Sequence, residues 1–268
     1  MTRQKFFSEY FAPNTWSREG HISGTLKKIG VKNKKVLDGG CGTGFFMNIL
    51  DEMGAKTVGI DIIPTNVILA KNNVPRATTV ASDIEILPFK SKTFDLILCT
   101  EVLEHCWNDM KALNDFYRVL KPNGILVLTV PNINYKYSLL EVWLSRIFGK
   151  LSHHVYTDDS HEELHRNSYT RLGVIEKLEK NNFKITSIFT ITKTFSKITN
   201  KTVMIIERID RLLRHKKNLA MHLADHKVRG GVFLKLYRIL VLPIIRRLIK
   251  LDYLCQKEGA SIFLIATK

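Results

Sequence analysis

Residues 36–46 read VLDGGCGTGFF, and this stretch decides the fold. Val36 and Leu37 close a short apolar run, Asp38 follows, and Gly40, Gly42 and Gly44 then stand at alternate positions. Phe45, Phe46, Ile49 and Leu50 recur at helical spacing, so the stretch predicts a buried strand, a tight turn and a helix. Glycine tolerates positive φ and has no Cβ, which lets a ligand lie against the turn. The helix start behind it offers unpaired N–H groups. No Lys-Ser/Thr follows, which argues against a phosphate-cradling P-loop, and the spacing is not G-x-G-x-x-G. Taken alone, the turn fits equally a strand–helix connection that binds nothing.

Working outward, four further segments follow the same rule. TVGID ends at Asp61, seventeen positions after Gly44, where a doubly wound sheet places a carboxylate at the tip of its second strand. VASDIEILPF puts Asp83 just past a third apolar run. TFDLILCTEVLEH gives a fourth strand, Phe94 to Cys99, and LKPNGILVLTVPN a turn and a fifth, Ile125 to Val130. Each polar landmark follows a strand, on the edge where open α/β sheets bind ligands.

These segments together resemble the class I S-adenosylmethionine-dependent methyltransferases, in the group that contains the ubiquinone-biosynthesis O-methyltransferases and their small-molecule relatives. The resemblance spans about residues 30–135. It implies a Rossmann-like α/β fold: a doubly wound seven-stranded sheet with the last strand antiparallel. It implies S-adenosyl-L-methionine as cofactor, with Asp38, Gly40, Cys41, Gly42 and Gly44 around its methionine part. Asp61 would take the ribose hydroxyls and Asp83 with Ile84 the adenine, with Ile62 and Thr100 also among the cofactor-binding residues. Gly39 departs from the family, which favours a bulkier apolar residue there, so looser strand packing is expected.

The segment EVLEH after strand four holds Glu101, Glu104 and His105 where an acceptor would arrive. Two carboxylates and an imidazole in five residues suit a general base or a divalent metal. E-x-x-E-H is similar to the spacing in magnesium-dependent O-methyltransferases, including enzymes that methylate small RNAs. Those add a later His, which HRNSYT offers at His165. In that reading Glu101, Glu104, His105 and His165 hold Mg²⁺ and lower the pKa of an acceptor hydroxyl. In the other reading the three are a catalytic base and its neighbours, or simply helix-start residues. His153, His154 and His161 read as solvated surface. The absence of a D/N-P-P-Y/F motif argues against amino-methylating enzymes.

Residues 1–30 read as an aromatic N-terminal helical region. Phe6, Phe7, Tyr10, Phe11 and Trp16 would form a lid over the cofactor or a cap on the sheet. Residues 31–191 plus 259–268 read as the methyltransferase domain, with a helix from about Thr170 and strands six and seven forming its closing hairpin. Residues 192–258 interrupt that hairpin as a helical insertion. The chain carries a formal net charge of +16, and this insertion holds sixteen Lys and Arg against five Asp and Glu, or +11, leaving +5 for the rest.

Within the insertion, residues 232–254 form an amphipathic pattern. Lys235, Arg238, Arg246 and Lys250 share one side, Phe233, Tyr237, Leu240, Ile244, Leu248 and Leu251 the other, and Pro243 would kink it. Such a helix suits an anionic membrane surface, or packing on the sheet edge or a second copy in a homodimer. Nucleic acid is disfavoured because the charge lies away from the active-site mouth.

The four cysteines form no C-x-x-C pair and read as reduced. MTRQKFFSEYFAPNTW has no apolar core of a signal peptide. These features predict a cytoplasmic protein, peripheral on the inner face of a membrane if the basic helix binds lipid. The reading is thus a methyltransferase acting on an oxygen of a small or lipid-linked acceptor. RNA methylation and a non-catalytic cofactor-binding or membrane-adaptor role are the alternatives.

Overall fold

A computed structural model describes residues 13–135, 166–191 and 259–268. The helix α1 (Pro13–Ile29) leads into β1 (Lys35–Gly39), α2 (Phe45–Glu52), β2 (Lys56–Asp61), α3 (Pro64–Asn73) and β3 (Thr78–Ala81). Then come β4 (Phe94–Thr100), a short 3₁₀ turn (Leu103–His105), α4 (Asp109–Val119) and β5 (Leu120–Pro131). The chain ends with α5 (Arg171–Lys180), β6 (Lys184–Ile191) and β7 (Ser261–Thr267). The seven strands lie in the order β3-β2-β1-β4-β5-β7-β6. β7 runs antiparallel to both neighbours and the other pairings are parallel. This is the sheet the sequence predicts.

The central strands are apolar on both faces because helices cover both, as parallel sheets require. One face of the core gathers Leu37, Ile60, Ile97 and Leu128 with Leu113 and Phe116 of α4 and Val174 and Leu178 of α5. The other gathers Val36, Leu96, Leu98, Val127 and Phe263 with Phe45 and Leu50 of α2 and Ile22 and Leu26 of α1. Ile22 and Leu26 are fully buried, so α1 caps one sheet face. The aromatic residues Phe6, Phe7, Tyr10 and Phe11 and the Trp16 side chain, expected in a lid, lie outside the described residues. So does the whole insertion 192–258, including the basic helix expected over 232–254.

Helix starts follow local chemistry. The Asn108 side chain accepts from Lys111 N (3.0 Å) to cap α4, and Thr170 Oγ1 accepts from Gly173 N (3.0 Å) to cap α5. Pro64 opens α3, where its missing N–H is not needed. The fifth strand is longer than its apolar run, because Leu120 already pairs with Phe94 across a register shift. Gly39 does not loosen the sheet. Its missing side chain is replaced by the Phe116 ring, 3.5 Å from where a Cβ would sit. Among the described residues no helix is long and apolar enough to cross a membrane.

Candidate functional site

The strand order runs outward from β1 to β3 and then crosses back to β4, so the carboxyl ends of β1 and β4 part and leave a crevice between them. Its β1 lip is the glycine turn. Gly40 N and Cys41 N both donate to Ile60 O at 2.8 Å, which bends the chain sharply off the strand. Gly40, Gly42 and Gly44 take φ of 77°, 52° and 93°. A Cβ on Gly40 would stand 2.3 Å from Val102 Cγ2, and one on Gly44 3.1 Å from the Ala70 backbone. Two of the three glycines are therefore needed for close approach as well as for φ.

Asp61 at the end of β2 braces this turn. Its Oδ2 accepts from Gly42 N (2.9 Å), while Oδ1 accepts from Ile63 N (2.9 Å) and Asn66 Nδ2 (3.2 Å). A carboxylate has about four lone-pair sites, so Oδ2 keeps capacity for a further donor. Asp38 is buried at 1 % exposure, and its Oδ2 has no hydrogen-bond partner. Burial first, and the nearby Asp61 charge second, push its carboxyl up to about 7. A buried, unsatisfied carboxyl oxygen is costly unless something else meets it, and it suits a cationic or N–H-bearing ligand group. The glycine cradle and Asp38 therefore fit the cofactor that the resemblance implies.

The other expected cofactor residues fall along the same edge. Asp83 follows β3, half-buried, with Oδ1 accepting from Glu85 N (2.9 Å). Ile84 is buried in the core, so only its backbone faces the edge, whereas Ile62 stands 66 % exposed just beyond Asp61. Thr100 ends β4, half-buried. Burial pushes the Cys41 thiol up and Cys106 to about 12, and the described cysteines Cys41, Cys99 and Cys106 are free.

The β4 lip is made by EVLEH. Glu101 takes φ 53°, a left-handed conformation that costs a side-chain-bearing residue about 1–2 kcal/mol. Its Oε2 lies 3.9 Å from Arg18 of α1 and accepts from Ser261 Oγ of β7 at 3.4 Å. Its Oε1 is buried without a hydrogen-bond partner. Glu104 instead points into the protein, 1 % exposed, with His105 Nε2 3.8 Å from its Oε1. The lip is strapped from behind. Arg166 N and Asn167 N donate to Glu104 O (2.7 and 3.0 Å), and Asn167 Nδ2 donates to Leu103 O and Cys106 O (3.3 and 2.8 Å). The Arg166 guanidinium stacks on exposed Trp107 at 3.4 Å.

Of the expected Mg²⁺ ligands, Glu101, Glu104 and His105 lie together on the β4 lip, and His165 lies outside the described residues. Among the described residues no group of three His, Cys, Asp or Glu side chains could hold a metal. Glu104 is buried, with His105 Nε2 3.8 Å from its Oε1. Sequence reasoning also missed Arg18, Ser261 and Asn167, which meet the lip from three distant segments and leave no local signal in the sequence. Val102 was missed too, although it lies inside the quoted motif.

Residues 37–128 match the family described as a methyltransferase domain. An uncharacterized protein of Methanocaldococcus jannaschii is 43% identical over 114 residues, covering 41% of this chain and 47% of that protein. A ubiquinone biosynthesis O-methyltransferase of Coxiella burnetii is 33% identical over 114 residues, covering 41% and 49%. The matched part thus spans about half the length of these relatives. The solved structure of an S-adenosylmethionine-dependent methyltransferase from Mesorhizobium loti shares the fold, with a TM-score of 0.57 at 15% identity over 91% of this chain and 96% of that one. Over residues 37–128 the chain is similar to the methyltransferase domain family, carried on the sheet that solved S-adenosylmethionine-dependent methyltransferases share.

Proposed function

We propose that the chain transfers a methyl group from S-adenosyl-L-methionine to an oxygen of a small or lipid-linked acceptor. The observation that supports this most is the β1 lip: a left-handed glycine turn beside a buried Asp38 whose Oδ2 has no partner. When bound, the cofactor supplies an electrophilic methyl group. Asp38, Gly40, Cys41, Gly42 and Gly44 hold its methionine part, Asp61 and Ile62 the ribose, Asp83 and Ile84 the adenine, and Thr100 borders the reacting end. The β4 lip orients the acceptor, and His105, about one-third exposed, takes its proton. The oxygen acceptor follows from the missing amino-methylation motif and from the Coxiella burnetii relative's name. The lipid-linked alternative follows from the charge of the insertion.

The test is incubation of the full chain with extract and methyl-labelled cofactor, followed by separation into lipid, small-molecule, protein and RNA fractions. Label in an ether or ester of the first two is expected; label in RNA or protein would overturn the acceptor class. If Glu101, Glu104, His105 and His165 hold Mg²⁺, chelator should abolish turnover and added Mg²⁺ restore it; full activity in excess chelator would leave a general-base role for His105 alone. Flotation with anionic vesicles is expected for the wild-type chain and is lost when Lys235, Arg238, Arg246 and Lys250 become Gln. A chain that stays at the bottom of the gradient removes the lipid-linked acceptor.

A further inference from the structure

Seven large apolar side chains are exposed among the described residues, and three of them stand on segments laced to one another: Trp107 (78 % exposed), Ile133 (60 %) and Leu172 (73 %). Ile133 N donates to Tyr169 O (3.0 Å), and Asn132 bridges to the same tyrosine, which stands just before α5 and Leu172. Tyr169 OH donates to Asp109 Oδ2 (2.8 Å) and Asn167 Nδ2 to Cys106 O (2.8 Å), so the chain on either side of Trp107 is tied to the same strap. The Arg166 guanidinium lies over the Trp107 ring at 3.4 Å and steadies the exposed indole. The three side chains share one region of the surface, beyond the carboxyl ends of β4 and β5.

The basic segment 192–258 is fastened to this edge at both of its ends. Ile191, where β6 stops, pairs with Ser261, where β7 starts. Gly259 N donates to Thr190 Oγ1 (2.8 Å), Asn132 Nδ2 donates to Gly259 O (2.9 Å), and Asn132 N donates to Ala260 O (2.8 Å). Ser261 Oγ in turn donates to Glu101 Oε2 on the β4 lip (3.4 Å). The net charge of +11 in residues 192–258 is therefore attached beside Ile133 and the crevice. The expectation that this charge lies away from the active-site mouth does not hold for its points of attachment.

We infer that this region of the catalytic domain is itself a lipid-contacting surface: Trp107, Ile133 and Leu172 enter the interface of an anionic membrane and Arg166 meets its phosphates, so that the crevice opens toward the bilayer. This rests on the proposed lipid-linked acceptor and gives its direction of approach. Exposed apolar patches rimmed by polar groups mark interaction sites. A tryptophan beside an arginine suits the boundary between acyl chains and head groups, where an apolar body and a polar tip both find their solvent. A nucleic acid fits less well. Isoleucine and leucine gain nothing from a phosphate backbone, and one face of the Trp107 ring is already covered by Arg166 and closed to a stacked base. The charge of residues 192–258 supplies long-range attraction to anionic lipid, and the three apolar side chains supply burial at short range. An acceptor whose tail stays in the bilayer then presents its polar end to the β4 lip without leaving the membrane.

Trp107 can report on this itself, because Trp16→Phe with Trp143→Phe leaves it as the single tryptophan of the full chain. The probe is a vesicle of phosphatidylglycerol and phosphatidylcholine with brominated acyl chains, which quench a nearby indole. Trp107 emission is expected to shift to the blue and to be quenched as the protein floats, and to do neither with phosphatidylcholine alone or at high salt. In the otherwise wild-type chain, Ile133→Ser with Leu172→Ser should weaken partitioning into the same vesicles about tenfold at unchanged Tm. A chain that floats while Trp107 stays unquenched would overturn the inference and leave the lipid-linked acceptor standing, with another face on the bilayer. Partitioning untouched by the double serine variant would overturn it as well. A chain that does not float removes both the inference and the lipid-linked acceptor, while methyl transfer to a soluble acceptor would survive. A blue shift without vesicles that grows with protein concentration would assign the surface to a second copy, and one produced by added RNA would assign it to nucleic acid; either result sinks the lipid contact.

Discussion

On the β1 lip, the groups that face the crevice belong to a single stretch of chain, Asp38 to Gly44, braced by Asp61 from the neighbouring strand. On the β4 lip, Glu101 is set by Arg18, Ser261 and Thr129, and the turn behind it by Arg166 and Asn167. The first lip is a backbone conformation that glycines permit; the second is a set of side-chain directions that tertiary contacts impose. A change on the β1 lip should therefore damage binding outright, whereas changes behind the β4 lip should loosen it by degrees.

Gly40→Ala should have the largest effect. The new Cβ would meet Val102 at 2.3 and 2.8 Å, at a φ of 77° that non-glycine residues avoid. The left-handed penalty is about 1–2 kcal/mol and overpacking adds about 1–3 kcal/mol. S-adenosylhomocysteine affinity should fall on the order of 100-fold, and the apo protein should melt earlier. Val102→Ala in the same chain should restore part of the loss by opening the space. Failure of that rescue would show that φ alone, not the approach of the two lips, requires glycine at this position.

Asp38 gives the next effect, and its sign follows from the direction of the shift. Its folded-state pKa, about 7, lies above the ordinary 3.8. Folding therefore favours the protonated form. The stabilisation is fully present below about pH 4 and is lost as pH rises through about 7, on the order of 4 kcal/mol at most. Urea melts of the apo protein should show wild-type stability falling over that window relative to Asp38→Asn, which has no proton to lose. Parallel pH profiles for the two proteins would remove the burial argument. Near neutral pH, ligand binding should also release a proton, measurable as a dependence of the binding heat on buffer ionisation.

A smaller effect is expected under the β4 lip, where Asp109 is buried and accepts from Tyr169 OH (2.8 Å) and Lys177 Nζ (2.6 Å). Tyr169→Phe leaves the carboxylate with one partner fewer, a loss of about 1–3 kcal/mol. That corresponds to a drop in Tm of roughly 2–4 °C per kcal/mol for a domain of this size. An unchanged Tm would mean that Lys177 alone satisfies Asp109.

How much was legible in the sequence follows the same division. The glycine turn, Asp61 and the strand order could be read because each is encoded within a few residues by period, φ demand or position after a strand. Cofactor assignments for Ile62 and Ile84 look alike in sequence, yet one side chain is exposed and the other is in the core. The four-ligand metal set was read from spacing alone. Spacing does not reveal that Asn167 holds the turn from behind, with Glu104 facing the interior. The role of Arg18 is a meeting of residues 83 positions apart in the chain, which no local pattern records. The apparent defect at Gly39 was likewise settled by a ring from α4.

The smallest effect separates the two lips most cleanly. Asn167 Nδ2 donates to the carbonyls of Leu103 and Cys106, the two ends of the strapped turn, and does not touch the glycine loop. Asn167→Ala leaves those carbonyls to find water or go unmet, at about 1–2 kcal/mol in total. If the lips are independent, S-adenosylhomocysteine affinity should stay within about twofold of wild type, because sites without shared partners add. Amide exchange at Leu103–Cys106 should meanwhile speed up by roughly tenfold, since local opening there loses its tie. Exchange that accelerates equally at Gly40–Gly44 would show that Val102 transmits motion from one lip to the other. The crevice would then be one mechanical unit, and the loss in Asn167→Ala should appear in cofactor affinity as well.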